Sequence, residues 1–188
     1  MRLVGAAKIE QLLPIVGFAV QVGAICCLSS TMNTAQLARL RYQPDALPAM
    51  LSGLTEAQIR QQPQPDKWSI FEQIAHLGRY QQIFLERLQR IRSEETPVFD
   101  RYVAGEDSGF TDWLTRPLTD VLSQSNADRN ELNRLLSGCS ANMVERTGRH
   151  PLFGRMTISE WTEFFLLHEA HHLFSIMKLA APFRNREF

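Results

Sequence analysis

The sequence predicts an all-α protein, an antiparallel bundle of four long helices. Apolar residues recur at spacings of three and four over long stretches, and capping boxes open two of those stretches. No strand-like alternation survives for more than a few residues. The 188 residues fit one domain with an appendage and suffice to bury a single core. Hydrophobic residues at 44% and charged residues at 21% exclude wholesale disorder. Lys+Arg 20 against Asp+Glu 20 leaves no excess of cations to displace counterions, which argues against a nucleic-acid partner. Three cysteines are too few for a disulfide scaffold.

The chain divides into an apolar N-terminal extension, residues 1–31, and a helical domain, residues 32–188. The extension carries only Arg2, Lys8 and Glu10 as charges, and Leu12 to Leu28 is a nearly unbroken apolar run. Pro14, Gly17, Gln21 and Gly23 weaken it as a membrane helix, and its length is at the lower limit for a hydrocarbon core of about 30 Å. The run loosely mimics a secretory signal. The favoured alternative makes it an upstream or dispensable segment, with Met32 as the true start and a cytoplasmic protein. A genuine signal, or residues 12–28 retained as an anchor, would make the protein exported or membrane-attached. Adjacent Cys26 and Cys27 read as apolar filler, because neighbouring cysteines rarely bridge without strain.

From Asn33 the elements follow in order. Thr34 to about Gly53 has Leu37, Leu40, Leu47, Met50 and Leu51 at helical spacing, interrupted by Pro44 and Pro48. Thr55 with Gln58 marks a short capped turn, ended by a Gln-Pro-Gln-Pro run. Ser69 with Glu72 is a capping box opening a helix to about Arg92, whose stripe is Ile70, Ile74, Leu77, Phe84 and Leu88. Residues 94–115 read as a long loop around Phe99, Tyr102, Phe110 and Trp113. Pro117 and Gly138 bracket a third helix. Thr157 with Glu160 opens the last helix, which Pro182 stops.

That last helix carries the informative residues. Trp161, Phe165, His168, His172, Ile176 and Leu179 recur at three- and four-residue intervals, so His168 and His172 share the inward stripe about 6 Å apart. Two imidazoles one turn apart present two nitrogen ligands to one metal ion. Burying both without an ion would leave polar nitrogens in need of partners. His171 is rotated by about 100° toward the edge of the stripe. The string His168-Glu169-Ala170-His171-His172 also satisfies H-E-x-x-H, the zinc-protease pattern. The extended form is absent, since Ser175 and Lys178 stand where its glycine and third histidine belong, and the protease reading ranks last. A better third ligand is His76, beside Ile74 and Leu77 on the second helix. Three neutral imidazoles leave an ion open positions, the catalytic pattern.

At these residues the sequence resembles the DinB superfamily. The resemblance rests on Asp66-Lys67-Trp68-Ser69-Ile70, then Ile74-Ala75-His76-Leu77, and the terminal His168-Glu169-Ala170-His171-His172. Tyr42-Gln43-Pro44 with Leu47, Leu51 and Leu54 matches the family's first helix, and the resemblance covers roughly residues 35–180. It implies an up-down-down-up bundle in which His76, His168 and His172 hold a divalent metal, with zinc or nickel the expected ion. It also implies a kinship with thiol S-transferases and isomerases that use low-molecular-weight thiols, and a homodimer. Family members often have glutamine three residues after the last histidine, where this chain has Ser175.

The resulting functional expectation is a metal-dependent enzyme, a thiol S-transferase or hydrolase acting on small electrophiles, in which the ion acidifies a thiol or water. The alternative is a non-catalytic bundle that the metal merely stabilises. Trp68, Tyr80 and the aromatic loop are candidates for the substrate-binding mouth, beside plain core packing. Glu169, His171 and Ser175 are candidates for supporting the ligands from behind, Glu169 being otherwise a solvated group. His150 reads as a surface residue, and Cys139 as inert.

Overall fold

A computed structural model describes residues 32–184; the apolar run with Cys26 and Cys27 lies outside the described residues. The first predicted helix is two pieces, α1 (Thr34–Tyr42) and α2 (Ala46–Leu51), joined by a 3-10 turn. The break falls at Pro44. Pro48 sits in the first turn of α2, where a missing N–H costs nothing. A short helix α3 (Glu56–Arg60) opens on the Thr55–Gln58 capping box. Helix α4 (Ile70–Ser93) opens on Ser69, whose hydroxyl accepts the Glu72 amide while the Glu72 carboxylate accepts the Ser69 amide.

Two expectations are corrected. Within 94–115 lies a helix, α5 (Ser108–Leu114), capped by the Asp107 carboxylate, which accepts the Gly109 amide. Arg79 on α4 donates to the same carboxylate at 2.7 Å, so this segment is pinned to the bundle. Trp113 of α5 packs closely against α4 because residue 78 is glycine; a Cβ there would overlap the indole. The second correction is a hairpin, β1 (Thr147–His150) with β2 (Gly154–Thr157), antiparallel with His150 opposite Gly154. Residues 97–99 add a short bridge to β1 through Arg149. Between α5 and the hairpin run α6 (Leu118–Ser137) and a single turn, α7 (Ala141–Val144). Helix α8 (Ile158–Ala180) opens on the Thr157–Glu160 capping box.

Side-chain pairings give the helix directions. Along α4 and α8, Gln73 meets His172, His76 meets His168, and Phe84 stacks on Phe165, so these helices are antiparallel. Gly78 abuts Ser125 and Gln81 bonds to Arg129, so α4 and α6 run parallel. Gln36 meets Ser159, Arg39 meets Glu163 and Gln43 meets Glu169, so α1 and α8 also run parallel. The bundle is therefore up-down-down-up.

Two apolar clusters fill its ends. One gathers around Phe84, Leu88, Leu132, Trp161 and Phe165, the other around Ile74, Trp113, Val121, Leu173 and Ile176. A polar layer separates them at the level of His76–Gln81, Asp128–Arg129 and His168–His172. Among the described residues no helix is long and apolar enough to cross a membrane.

Candidate metal centre

Helix periodicity places His168 and His172 on one stripe of α8, and antiparallel packing brings His76 of α4 opposite them. The His168 Nε2 atom lies 3.2 Å from that of His76 and 3.1 Å from that of His172. Two ligand nitrogens bound at about 2.0–2.1 Å in tetrahedral geometry stand about 3.3 Å apart. Both pairs therefore already have ligand spacing, and ligand atoms of all three rings lie within 4.8 Å of one another. Among the described residues no carboxylate or thiolate joins this cluster.

The other face of each ring is informative. His172 Nδ1 lies 2.5 Å from Gln73 Oε1, which fixes that nitrogen as the protonated one and turns the Nε2 lone pair toward its neighbours. His76 Nδ1 and His168 Nδ1 are buried with no hydrogen-bond partner. Burial holds the His76 imidazole down to about 4 and His172 to about 3. His168, desolvated and flanked by the other imidazoles, is held at about 2. All three are neutral near pH 7, the state a metal ligand needs.

Aromatic rings enclose the cluster. The Trp68 ring centroid is 5.0 Å from that of His76, and the Tyr80 centroid is 4.2 Å from that of His168. Tyr102 and Phe110, both from the segment read as a loop, lie 5.7 and 5.9 Å from His76. The Tyr102 hydroxyl donates to Asp107, so the clamp that anchors this segment also sets the ring against His76. His76, His168, Trp68 and Tyr80 line a cavity of about 820 Å³, walled on its far side by the hairpin turn.

The remaining expected residues are dispersed. Glu169 is buried about 100° round α8 from His168, paired with Arg129 and bonded to Gln43, which leaves the H-E-x-x-H pattern without a general base at the histidines. His171 is exposed, its ring 5.3 Å from that of His172, and the half-buried Ser175 donates its hydroxyl to the His171 carbonyl. His150 is half-buried rather than on the surface, and it lines the cavity. The Cys139 thiol is half-buried, donates to the Leu135 carbonyl, and is pushed up by burial. Gln73 is a site residue that pattern reading missed; its only signal is its place one turn before His76.

Comparison with known proteins agrees with this architecture. YuaE of Bacillus subtilis strain 168 is 26% identical over 135 residues, covering 65% of this chain and 83% of YuaE. The structure is similar to that of YfiT from Bacillus subtilis, a probable metal-dependent hydrolase with an unusual four-helix bundle topology. The TM-score is 0.70 at 19% identity, over 79% of this chain and 86% of that one. It is also similar to TT2238, a four-helix bundle protein, with a TM-score of 0.54 at 21% identity over 77% of this chain and 97% of that one. A family model described as the DinB superfamily matches residues 39–176, most of the described bundle and all three clustered histidines, and the chain belongs to that superfamily.

Proposed function

We propose that His76, His168 and His172 hold a divalent ion, zinc or nickel, and that the protein is a metal-dependent hydrolase of small electrophilic substrates. One observation carries this reading: three Nε2 atoms, from one buried and two half-buried imidazoles, converge on the wall of an aromatic cavity. The convergence itself supports it, since a proton on His168 Nε2 can bridge to only one of its two Nε2 neighbours at a time, and an ion satisfies all three nitrogens together. A structural zinc takes four protein ligands, and His171, the nearest further candidate, stands outside the cluster. Three ligands favour catalysis over a purely structural ion.

An ion in this position supplies Lewis-acid chemistry, acidifying a bound water or thiol and polarising the electrophile. The chain's own residues do the rest. Gln73 holds the His172 tautomer, and α4 and α8 hold the three rings in register. Trp68, Tyr80 and Tyr102 bind the apolar part of the substrate and limit access of bulk water. The description of YfiT as a probable metal-dependent hydrolase supports hydrolysis over the other chemistries of such a site.

Metal analysis of the purified full-length chain tests the ligand set. Wild type is expected to carry one ion per chain, and His76→Ala and His172→Ala none; full occupancy in both variants would refute it. A screen of activated esters, with and without added low-molecular-weight thiol, tests the chemistry. Turnover that needs the metal but not the thiol is the expected result. Strict dependence on thiol would reassign the protein as a thiol S-transferase.

A further inference from the structure

The cavity beside the histidines is lined by two arginines, histidines, aromatic and small apolar residues, and no carboxylate. Arg87 is the unusual one. It is 8% exposed, yet among the described residues it forms no ion pair. Its guanidinium donates to the Tyr80 hydroxyl at 3.3 Å and to the Asp100 carbonyl at 3.0 Å. Those two bonds leave most of its five N–H groups without a protein acceptor. A buried cation without a counter-charge is costly, and proteins normally pair it. The other buried arginine of the core, Arg129, is paired with Glu169.

Two neutral donors stand beside Arg87. Tyr80 accepts from Arg87, so its own proton is free to donate, and no acceptor for it is found among the described residues. His150 accepts the Leu152 and Phe153 amides on Nδ1 at 3.1 and 3.2 Å, which makes its Nε2 the protonated nitrogen.

We propose that Arg87, assisted by Tyr80 and His150, binds a carboxylate of the substrate, so that the enzyme acts on small organic acids whose reacting group sits at the histidines. This rests on the metal-site reading above and adds the substrate class to it. A carboxylate fits better than a phosphate monoester, because one buried guanidinium with neutral neighbours balances a monoanion, and Arg101 at the lip is exposed. Eleven residues separate His76 from Arg87 on α4, about 16 Å along the axis. The arginine side chain leans back over Tyr80, which shortens the span between anion and reacting group.

Matched alkyl hydroxamates on the zinc-loaded full-length protein provide the test. One member of each pair ends in methyl and the other in carboxylate, over a range of chain lengths. Titration calorimetry reads the affinities. The carboxylate is expected to tighten binding about 10- to 100-fold at the matching length, the range of a charge-assisted hydrogen bond. Arg87→Met removes the gain, and Arg87→Lys keeps part of it, which guards against a variant that simply fails to fold. Equal affinities within each wild-type pair, or a gain that survives Arg87→Met, would overturn the proposal. The corresponding primary amides separate the two claims. If hydroxamates bind no better than amides, the metal reading fails, while a carboxylate preference among the amides still upholds the anion site.

Discussion

Neighbouring faces of α8, within one helical turn, present two polar clusters that differ in completeness. On one face Glu169 pairs with Arg129, which also donates to Gln81 and to the Leu40 carbonyl, while Gln43 donates to the Glu169 carboxylate. Both charges of that pair are partnered within the chain. On the other the Nε2 atoms of His76, His168 and His172 converge, and among the described residues no donor or acceptor from outside the three rings reaches them. A network that only holds the bundle together satisfies itself. A network that lacks something the chain does not supply is organised around a ligand. That contrast, more than the presence of histidines, separates a site from a polar core.

Acid should reveal the contrast most strongly. In metal-free protein the three imidazoles are neutral when folded, at about 4, 2 and 3, against an ordinary value near 6.5 when unfolded. The unfolded chain therefore binds more protons, and stability is intact above pH 6.5 and falls as the pH drops toward the folded values. Between pH 6.5 and 4.5 the loss is on the order of 6 kcal/mol for the three groups together. Urea unfolding in the presence of a chelator measures it. His168→Asn should make the acid slope shallower by about one third, since one of the three groups no longer titrates. A slope unchanged by substitution of any of the three would mean that they do not carry it.

The closed cluster should answer to truncation. Glu169→Ala leaves Arg129 buried and unpaired, and is expected to cost about 3–5 kcal/mol in urea unfolding. Metal stoichiometry of whatever remains folded should be unchanged. Loss of metal at full stability would instead place Glu169 at the metal centre.

Much of this was legible in the chain. The capping residues Ser69 and Thr157 mark where α4 and α8 begin, and the 3.6-residue period then fixes His168 and His172 on one face. Position 76 follows because an antiparallel partner must meet them at one level. The hairpin was not legible: Thr147–His150 is four residues long, contains glycine, arginine and histidine, and takes its pairing from a turn at Gly154 with φ of +73°. Helix α5 was hidden because its stability comes from tertiary contacts, Trp113 over Gly78 and Asp107 with Arg79, rather than from a long periodic run. Glu169 was misjudged because its partner is forty residues away on α6, and no local spacing announces such a pairing. Arg87 did leave a trace, as a charged residue on the buried stripe that holds Tyr80, Phe84 and Ile91.

The smallest of these effects is the most discriminating, because it probes a residue outside the proposed ligand set. Gln73 touches the open cluster only through His172 Nδ1, and its side chain carries no charge. In a self-contained polar core, replacing it with leucine would cost one hydrogen bond, about 1 kcal/mol of stability. Supporting a metal ligand is a different task. Its carbonyl holds the proton on Nδ1, keeps the ring from rotating, and leaves Nε2 the basic nitrogen. Removing such an outer partner typically lowers metal affinity 10- to 100-fold. Gln73→Leu should therefore weaken zinc binding in competition with a chromophoric chelator by that factor. Gln73→Glu should restore or tighten it, since a carboxylate accepts the same proton more strongly. Equal zinc affinity in all three proteins would break the comparison at its root, because the open cluster would then need no more support than the closed one.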